Sequence, residues 1–318
     1  MNILITGHTG FIGGHLTPAL IAKNHSIIGV SRHIEPILAH PQLQQIQISS
    51  LEQYTDWHQA LSGVDTVIHL AARAHILEDC IDDPAAEFFR VNTQGTINLV
   101  KAAIQTGVKH FIFISSIGAI TTLSREILTE TAPCQPDTPY GTSKLAAEAA
   151  LIELCQNTAM NWTIVRPTLV YGPGNPGNMK RLLKLVNSQF PLPLGSINNQ
   201  RSFLYIENLI DAITVCLDHP NAKNQIFLLS DGQNISTPLL IRHLAHFLNI
   251  RSILLPIPAP LLRLLGKIIG KSSAVERLLE SLVVSNKKVV TTLNWQPPYS
   301  IEQGLAATAK WYKSVDGS

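Results

Sequence analysis

A strand-like run that ends in three glycines at three-residue spacing leaves a chain few folds to choose from. Asn2–Thr6 is followed at once by Gly7, Gly10 and Gly13, and the last two open a helical stretch over Phe11–Lys23. Glycines at these places permit a tight turn and close backbone approach, and the helix N-terminus offers free N–H groups to a pyrophosphate. A glycine triplet alone also serves ordinary turns. Its place between a strand and a helix makes Gly7, Thr9, Gly10, Phe11, Ile12 and Gly13 a candidate dinucleotide loop.

The same alternation continues. Ser26–Ser31, Thr66–Leu70, Phe111–Ser115 and Thr163–Arg166 read as strands. Tyr54–Leu61, Ala85–Thr106 and Ser143–Cys155 read as helices between them. Near-continuous apolar runs such as Phe111-Ile112-Phe113-Ile114 suit strands covered on both faces, so the pattern predicts a parallel sheet between helical layers. After Pro167 the chain turns Gly/Pro-rich and then mainly helical. The expected fold class is therefore α/β: a Rossmann-type doubly wound parallel sheet over residues 1–167, with a smaller, mainly helical C-terminal lobe over 168–318. The two are expected to interweave, with a strand near 225–229 returning to the main sheet.

Composition closes off other classes. Apolar residues make up 45% of the chain and charged ones 14%, which describes an ample core. A formal charge of +2 is too small for a nucleic-acid-binding face. Cys80, Cys134, Cys155 and Cys216 share no pairing or metal-ligand spacing, as expected in a reducing compartment. The N-terminus shows no signal-peptide pattern, so a cytoplasmic protein is expected. The apolar stretch from Ile253 to Ile269 is interrupted by prolines and carries Arg263 and Lys267, a poor spanning helix. His243 and His246 have no third ligand placed beside them, so no metal is expected, and Asp82-Asp83 before Pro84 reads as a helix start.

The end of the second strand bears on the cofactor. A carboxylate there would bind ribose hydroxyls, while an arginine could pair with a 2′-phosphate. This chain has Ser31 followed by Arg32, which favours NADP. Arg32 stacked on adenine would serve NAD equally.

Tyr140-Gly141-Thr142-Ser143-Lys144 puts a phenol and an amine four residues apart, on one face of a helix. A phenol of pKa near 10 is a poor base at neutral pH, and a neighbouring ammonium is expected to lower it. Ser116, at the end of the buried strand 111–115, is placed to hydrogen-bond a reacting oxygen. These three are the catalytic candidates.

With those residues in view the chain resembles the extended short-chain dehydrogenase/reductase family, especially its NAD(P)-dependent sugar epimerases and dehydratases. The matching elements are Thr6 to Gly13, His69-Leu70-Ala71-Ala72, Asn92 to Asn98, Ser115-Ser116, Tyr140 to Lys144, and Arg166-Pro167 followed by Val170-Tyr171-Gly172-Pro173. The resemblance implies that Leu70, Ala71, Ala72, Asn92, Ser115 and Pro167 support the cofactor with Tyr140 and Lys144. It also implies that Arg201 contacts the substrate diphosphate and that Asn178 is a further diphosphate or substrate contact; Arg277 is another candidate for the diphosphate and His75 a candidate sugar contact. Lys180, Arg181 and Lys184 could attract a diphosphate or form a solvated face. A homodimer using the 85–106 helix is expected of the family, and 256–269 is expected to pack as a helix of the substrate lobe, with docking on a membrane or partner the alternative.

The chain departs from UDP-glucose 4-epimerases where Ser31 replaces an acid, where Ile117-Gly118-Ala119-Ile120 follows the serine pair, and near Ser49-Ser50 after the third strand. Ala72 to His75, the Arg201 segment and the tail from Ala274 to Trp295 look most like a bacterial branch of surface-polysaccharide enzymes, some of them 4-keto reductases. The expected activity is hydride transfer at C4 of a UDP-hexose or UDP-N-acetylhexosamine by an epimerase. The alternative is an NADPH-dependent reductase of a UDP-4-keto-6-deoxy-N-acetylhexosamine, and a non-catalytic dinucleotide sensor or scaffold is the alternative of another class. A dehydratase fits less well, since Ile117-Gly118 offers no acid/base carboxylate pair.

Overall fold

In the computed structural model, residues 1–35, 39–51, 57–74, 83–270 and 272–316 are described. Strand β1 (Asn2–Thr6) leads through the glycine turn into α1 (Phe11–Ala22), and β2 (Ser26–Ser31) and β3 (Leu43–Gln47) follow. Next come α2 (His58–Leu61), β4 (Thr66–His69), α3 (Pro84–Phe88), a π-helical stretch over Phe89–Gln94 and α4 (Gly95–Gln105). β5 (His110–Ile114) ends in a 3₁₀ turn at Ile117–Ala119, followed by β6 (Ile127–Leu128), α5 (Pro139–Cys155) and β7 (Asn161–Pro167).

Seven parallel strands run in the order β10-β7-β5-β4-β1-β2-β3, where β10 is Gln225–Leu229. Strand order reverses at β1, so a crevice opens beyond the carboxyl ends of β1 and β4, where α/β sheets bind ligands. The twofold alternation of side chains divides the core. Ile3, Ile5, Ile68 and Ile112 share one cluster with Leu16 and Leu20 of α1, while Leu4, Val67 and Phe111 share the other with Leu99 and Leu151 of α4 and α5.

Beyond β7 come β8 (Leu169–Tyr171), α6 (Asn178–Asn187), β9 (Arg201–Tyr205) and α7 (Ile206–Asp218), and then β10. They are followed by β11 (Asn234–Ile235), α8 (Thr237–Leu248), α9 (Ala259–Ile268) and α10 (Ser272–Leu279). β12 (Val283–Val284), α11 (Lys287–Leu293) and α12 (Ile301–Asp316) complete the chain. β8, β9 and β11 form a small sheet, and β6 leaves the first half of the chain to pair with β12. The buried Tyr171 hydroxyl donates to Asp231 at 3.0 Å, joining β8 to the end of β10.

Two helices differ from the sequence reading. The single helix expected over 85–106 is interrupted by the π stretch, which turns both Asn92 and Thr93 toward α5, where they bond Ser143. α5 begins at Pro139 rather than Ser143, because Thr138 caps it by accepting from Gly141 N at 3.1 Å and proline suits the first turn.

Candidate active site

Gly7 adopts φ +71° and donates its N–H to Val30 O at 2.8 Å, turning the chain back toward the sheet. A Cβ on Gly13 would stand 2.3 Å from Gly7 O, so only glycine lets α1 start this close to the turn. No side chain caps α1 and its first turn holds no acid, which leaves its N–H groups and positive dipole end for an anion. Thr9, Gly10, Phe11 and Gly14 line a cleft of about 360 Å³ with Gly174 and Pro176 across from them. His15 pins that opposite wall, pairing with Glu207 at 2.8 Å and donating to Pro173 O at 3.0 Å, and the Glu207 carboxylate raises its pKa.

Ser31 is buried and donates to the His33 carbonyl oxygen, while Arg32 is exposed. Leu70, Ala71 and Ala72 follow β4 half-buried at the crevice, and Pro167 closes β7, buried. Ser115 Oγ is buried without a hydrogen-bond partner, as a site for a further polar group requires. The glycine cradle, the uncapped helix and this orphan hydroxyl together fit a dinucleotide.

A polar chain joins the cradle to α5. Ala71 N donates to Thr6 Oγ1 at 3.2 Å, Thr6 Oγ1 lies 2.6 Å from His69 Nδ1, and His69 Nε2 lies 3.0 Å from Thr96 Oγ1. Thr96 donates to the Asn92 carbonyl oxygen at 2.6 Å. The Asn92 amide accepts from Arg73 N at 2.7 Å and donates to Ser143 Oγ at 3.0 Å, and Ser143 donates to Tyr140 O at 2.8 Å. Asn92 therefore braces the loop after β4 against the helix that carries the phenol. His69 is wholly enclosed, and burial with the nearby Lys144 charge pushes its pKa down to about 3, so it is neutral in this chain.

Tyr140 and Ser116 share a hydrogen bond, and the Ser116 hydroxyl also accepts from Gly118 N at 3.0 Å. Phe88 meets the Tyr140 ring edge-on at 6.1 Å. Lys144 is buried, donates from Nζ to the Ile114 carbonyl oxygen at 2.7 Å and sits 4.3 Å over the Phe113 ring. The expected lowering of the phenol by Lys144 is not what the structure shows. Burial raises Tyr140 to about 12, opposed by the Ser116 bond, and lowers Lys144 to about 7. The reason is geometric: the ammonium points at a carbonyl and an aromatic face. One turn further along α5, Glu148 partly restores Lys144's basicity and is itself held by Arg166 Nε at 3.0 Å. Glu148 was missed in the sequence, although its spacing of four from Lys144 was visible.

At the start of β9 and in the last turn of α10, Arg201 and Arg277 come together. The Arg201 guanidinium donates to the carbonyl oxygens of Arg277 and Glu280 at 2.9 and 3.1 Å, and burial with the Arg277 charge lowers its pKa. Two adjacent cations attract an anion. Asn178 is exposed in the first turn of α6, and His75 lies outside the described residues. Among the described residues no group of His, Cys, Asp and Glu could hold a metal ion, and no helix is long and apolar enough to cross a membrane.

A nucleotide cradle at the switch point of a parallel sheet, with a phenol and a serine hydroxyl beside it, suits a dinucleotide and proton transfer at a bound oxygen. The chain belongs to the NAD dependent epimerase/dehydratase family, whose model matches residues 3–229. It is 40% identical over 313 residues to a UDP-glucose 4-epimerase of Vibrio cholerae, covering 97% of this chain and 94% of that one. It is 30% identical over 325 residues to the N-acetyl-alpha-D-glucosaminyl-diphospho-ditrans,octacis-undecaprenol 4-epimerase of Escherichia coli O157:H7, covering 98% and 95%. The crystal structure of UDP-glucuronic acid 4-epimerase from Bacillus cereus with UDP-glucuronic acid and NAD superposes with a TM-score of 0.82 at 24% identity, over 99% of this chain and 100% of that one.

Proposed function

We propose that this enzyme is a nucleotide-sugar 4-epimerase acting on a UDP-hexose or UDP-N-acetylhexosamine. The hydrogen-bonded Tyr140 and Ser116 beside the cradle carry the reading. Gly7 to Gly13, Ser115 and Lys144 would hold a nicotinamide dinucleotide, which supplies the hydride acceptor and donor and, when oxidised, a positive charge. Tyr140 accepts the proton of the sugar's C4 hydroxyl and returns it to the same oxygen after the sugar has turned. Ser116 hydrogen-bonds that oxygen throughout and opposes the rise that burial imposes on the phenol, and the protonated Lys144 would hold the nicotinamide ribose. Arg201 and Arg277 hold the diphosphate while the sugar ring presents its other face. A UDP-glucose 4-epimerase at 40% identity supports the nucleotide-sugar reading.

The test is an NMR time course with UDP-N-acetylglucosamine and UDP-glucose and catalytic NAD or NADP, without reductant. Appearance of the C4 epimer is expected, and its absence with both sugars and both cofactors sinks the reading. Arg32 favours NADP, and Arg32→Ala is expected to raise KM for NADP while leaving that for NAD unchanged.

A second reading has its own support: a sugar on a polyprenyl diphosphate. The relative that acts on a diphospho-undecaprenol sugar matches nearly the whole chain. The diphosphate arginines would serve either substrate. Turnover of a detergent-dispersed polyprenyl-diphosphate-linked N-acetylglucosamine tests it.

A further inference from the structure

Helix α9 wears its apolar stripe on the outside. Leu261, Leu264, Leu265 and Ile268 follow the i, i+3, i+4, i+7 spacing of one helical face, and all are exposed, Leu264 at 54% and Ile268 at 71%. The inward edge is narrow, consisting of Leu262 and Gly266. A Cβ on Gly266 would stand 2.7 Å from the Val275 side chain of α10, so the two helices pack tightly along that edge. Ile269 continues the exposed apolar surface beyond the end of α9, and Ile253 and Leu255, which precede the helix in the chain, are exposed as well. A surface helix normally turns such a stripe to the core, and an apolar patch of this extent marks an interaction surface. The expectation of a packed helix over 256–269 therefore holds for one edge only.

The charges around the stripe select its partner. α9 contains no acid, and its two charged residues are Arg263 and Lys267, four apart. Glu276 of α10 and Glu280 just beyond it lie nearby, and Arg263 holds both, at 3.0 and 2.7 Å. Lys267 is exposed and makes no ion pair among the described residues. A second copy laid α9 against α9 about a twofold axis would give Lys267 no counter-charge, since that helix holds no acid. A surface that is apolar within and anionic at its rim supplies one.

We propose that the outer face of α9 docks on an anionic lipid bilayer, with the helix lying in the plane of the interface and Lys267 at the headgroups. The docked hairpin is joined to the substrate site: α10 packs on α9, and the carbonyl oxygens of Arg277 and Glu280 hold the Arg201 guanidinium. Docking thus puts the bilayer one helix away from the element whose carbonyl oxygen holds Arg201. The inference rests on the polyprenyl reading above for its purpose, and its test does not depend on turnover.

The experiment is sedimentation of the full chain with vesicles of phosphatidylethanolamine and phosphatidylglycerol. The wild type is expected to sediment, and Leu264→Glu/Ile268→Glu to lose binding by about tenfold or more. Lys267→Glu is expected to weaken it by roughly fivefold at low salt, and phosphatidylcholine vesicles to bind less. Both variants are expected to keep UDP-sugar turnover and the wild-type melting temperature. Equal binding by the double variant, or no sedimentation of the wild type, overturns the proposal. So does a dimer that the double variant converts to monomer, because the face then belongs to a second copy. Turnover of the polyprenyl-linked sugar without vesicle binding overturns docking and leaves the second reading standing. Vesicle binding without that turnover supports docking and removes the second reading.

Discussion

Gly141 and Gly118 meet backbone to backbone: a Cβ on Gly141 would stand 2.1 Å from the Gly118 carbonyl oxygen. This approach sets the first turn of α5 against the 3₁₀ turn after β5, and it brings the Tyr140 phenol to the Ser116 hydroxyl. Gly141→Ala is expected to push that turn outward. Because reacting groups are sensitive to displacements near 1 Å, kcat should fall by about a hundredfold. Dinucleotide affinity should change less than kcat, since most of the proposed contacts, Gly7 to Gly13 and Ser115, lie on other elements. Steady-state kinetics with cofactor titration checks this, and unchanged kcat would mean that α5 can yield without moving the phenol.

Tyr140→Phe removes the proton acceptor and keeps the ring that meets Phe88. Turnover should fall by roughly 10³-fold, with cofactor binding and melting temperature near those of the wild type. Retained turnover would assign the proton to another group.

The Glu148–Arg166 pair tunes Lys144 through the chain of charges Arg166, Glu148, Lys144. Glu148 raises the Lys144 pKa against the larger effect of burial, which holds it at about 7. Glu148→Gln removes that support and leaves the Arg166 cation beside it. The ammonium is then lost at lower pH, so the alkaline fall of kcat should shift by about one unit toward acid, with Glu148→Asp partly restoring it. A change in melting temperature with no displacement of the profile would reduce Glu148 to a purely structural part.

His69 makes an acid-sensitive joint. Its pKa in the fold is about 3, against 6.5 ordinarily, so the unfolded chain binds a proton there that the fold refuses. The sign follows: the stability is fully present above pH 6.5 and is lost as pH falls through that value toward 3. His110, lowered to about 4 by burial, acts in the same direction. Each such histidine steepens the loss by about 1.4 kcal/mol per pH unit inside its window. Urea unfolding from pH 7 to 4 should show a shallower acid limb in His69→Gln than in the wild type. Parallel limbs would mean that His69 titrates normally.

The glycine loop, Tyr140 with Lys144, and Ser116 were legible because each rests on short-range spacing. Gly7, Gly10 and Gly13 follow a strand directly, and a separation of four residues puts two side chains on one helical face whatever the rest of the fold does. The start of α5 was legible too, in Thr138-Pro139, though the apolar pattern drew the boundary to Ser143. The π stretch was not, since a single extra residue per turn leaves no periodic trace in a helix of this length.

By itself, the sequence determined the parallel sheet, the glycine turn and the chemical identity of the proposed catalytic groups, since strand periodicity, glycine sterics and side-chain type are properties of neighbouring residues. Only the tertiary structure decided the protonation of those groups. Whether Lys144 meets the phenol or the Ile114 carbonyl oxygen, and how far burial raises Tyr140, depend on β5 and α5 packing across 30 residues of chain. The same holds for the outward stripe of α9. Its apolar spacing was plain in the sequence, but a helical period does not say which side faces water, and Gly266 against Val275 settles that through contact alone.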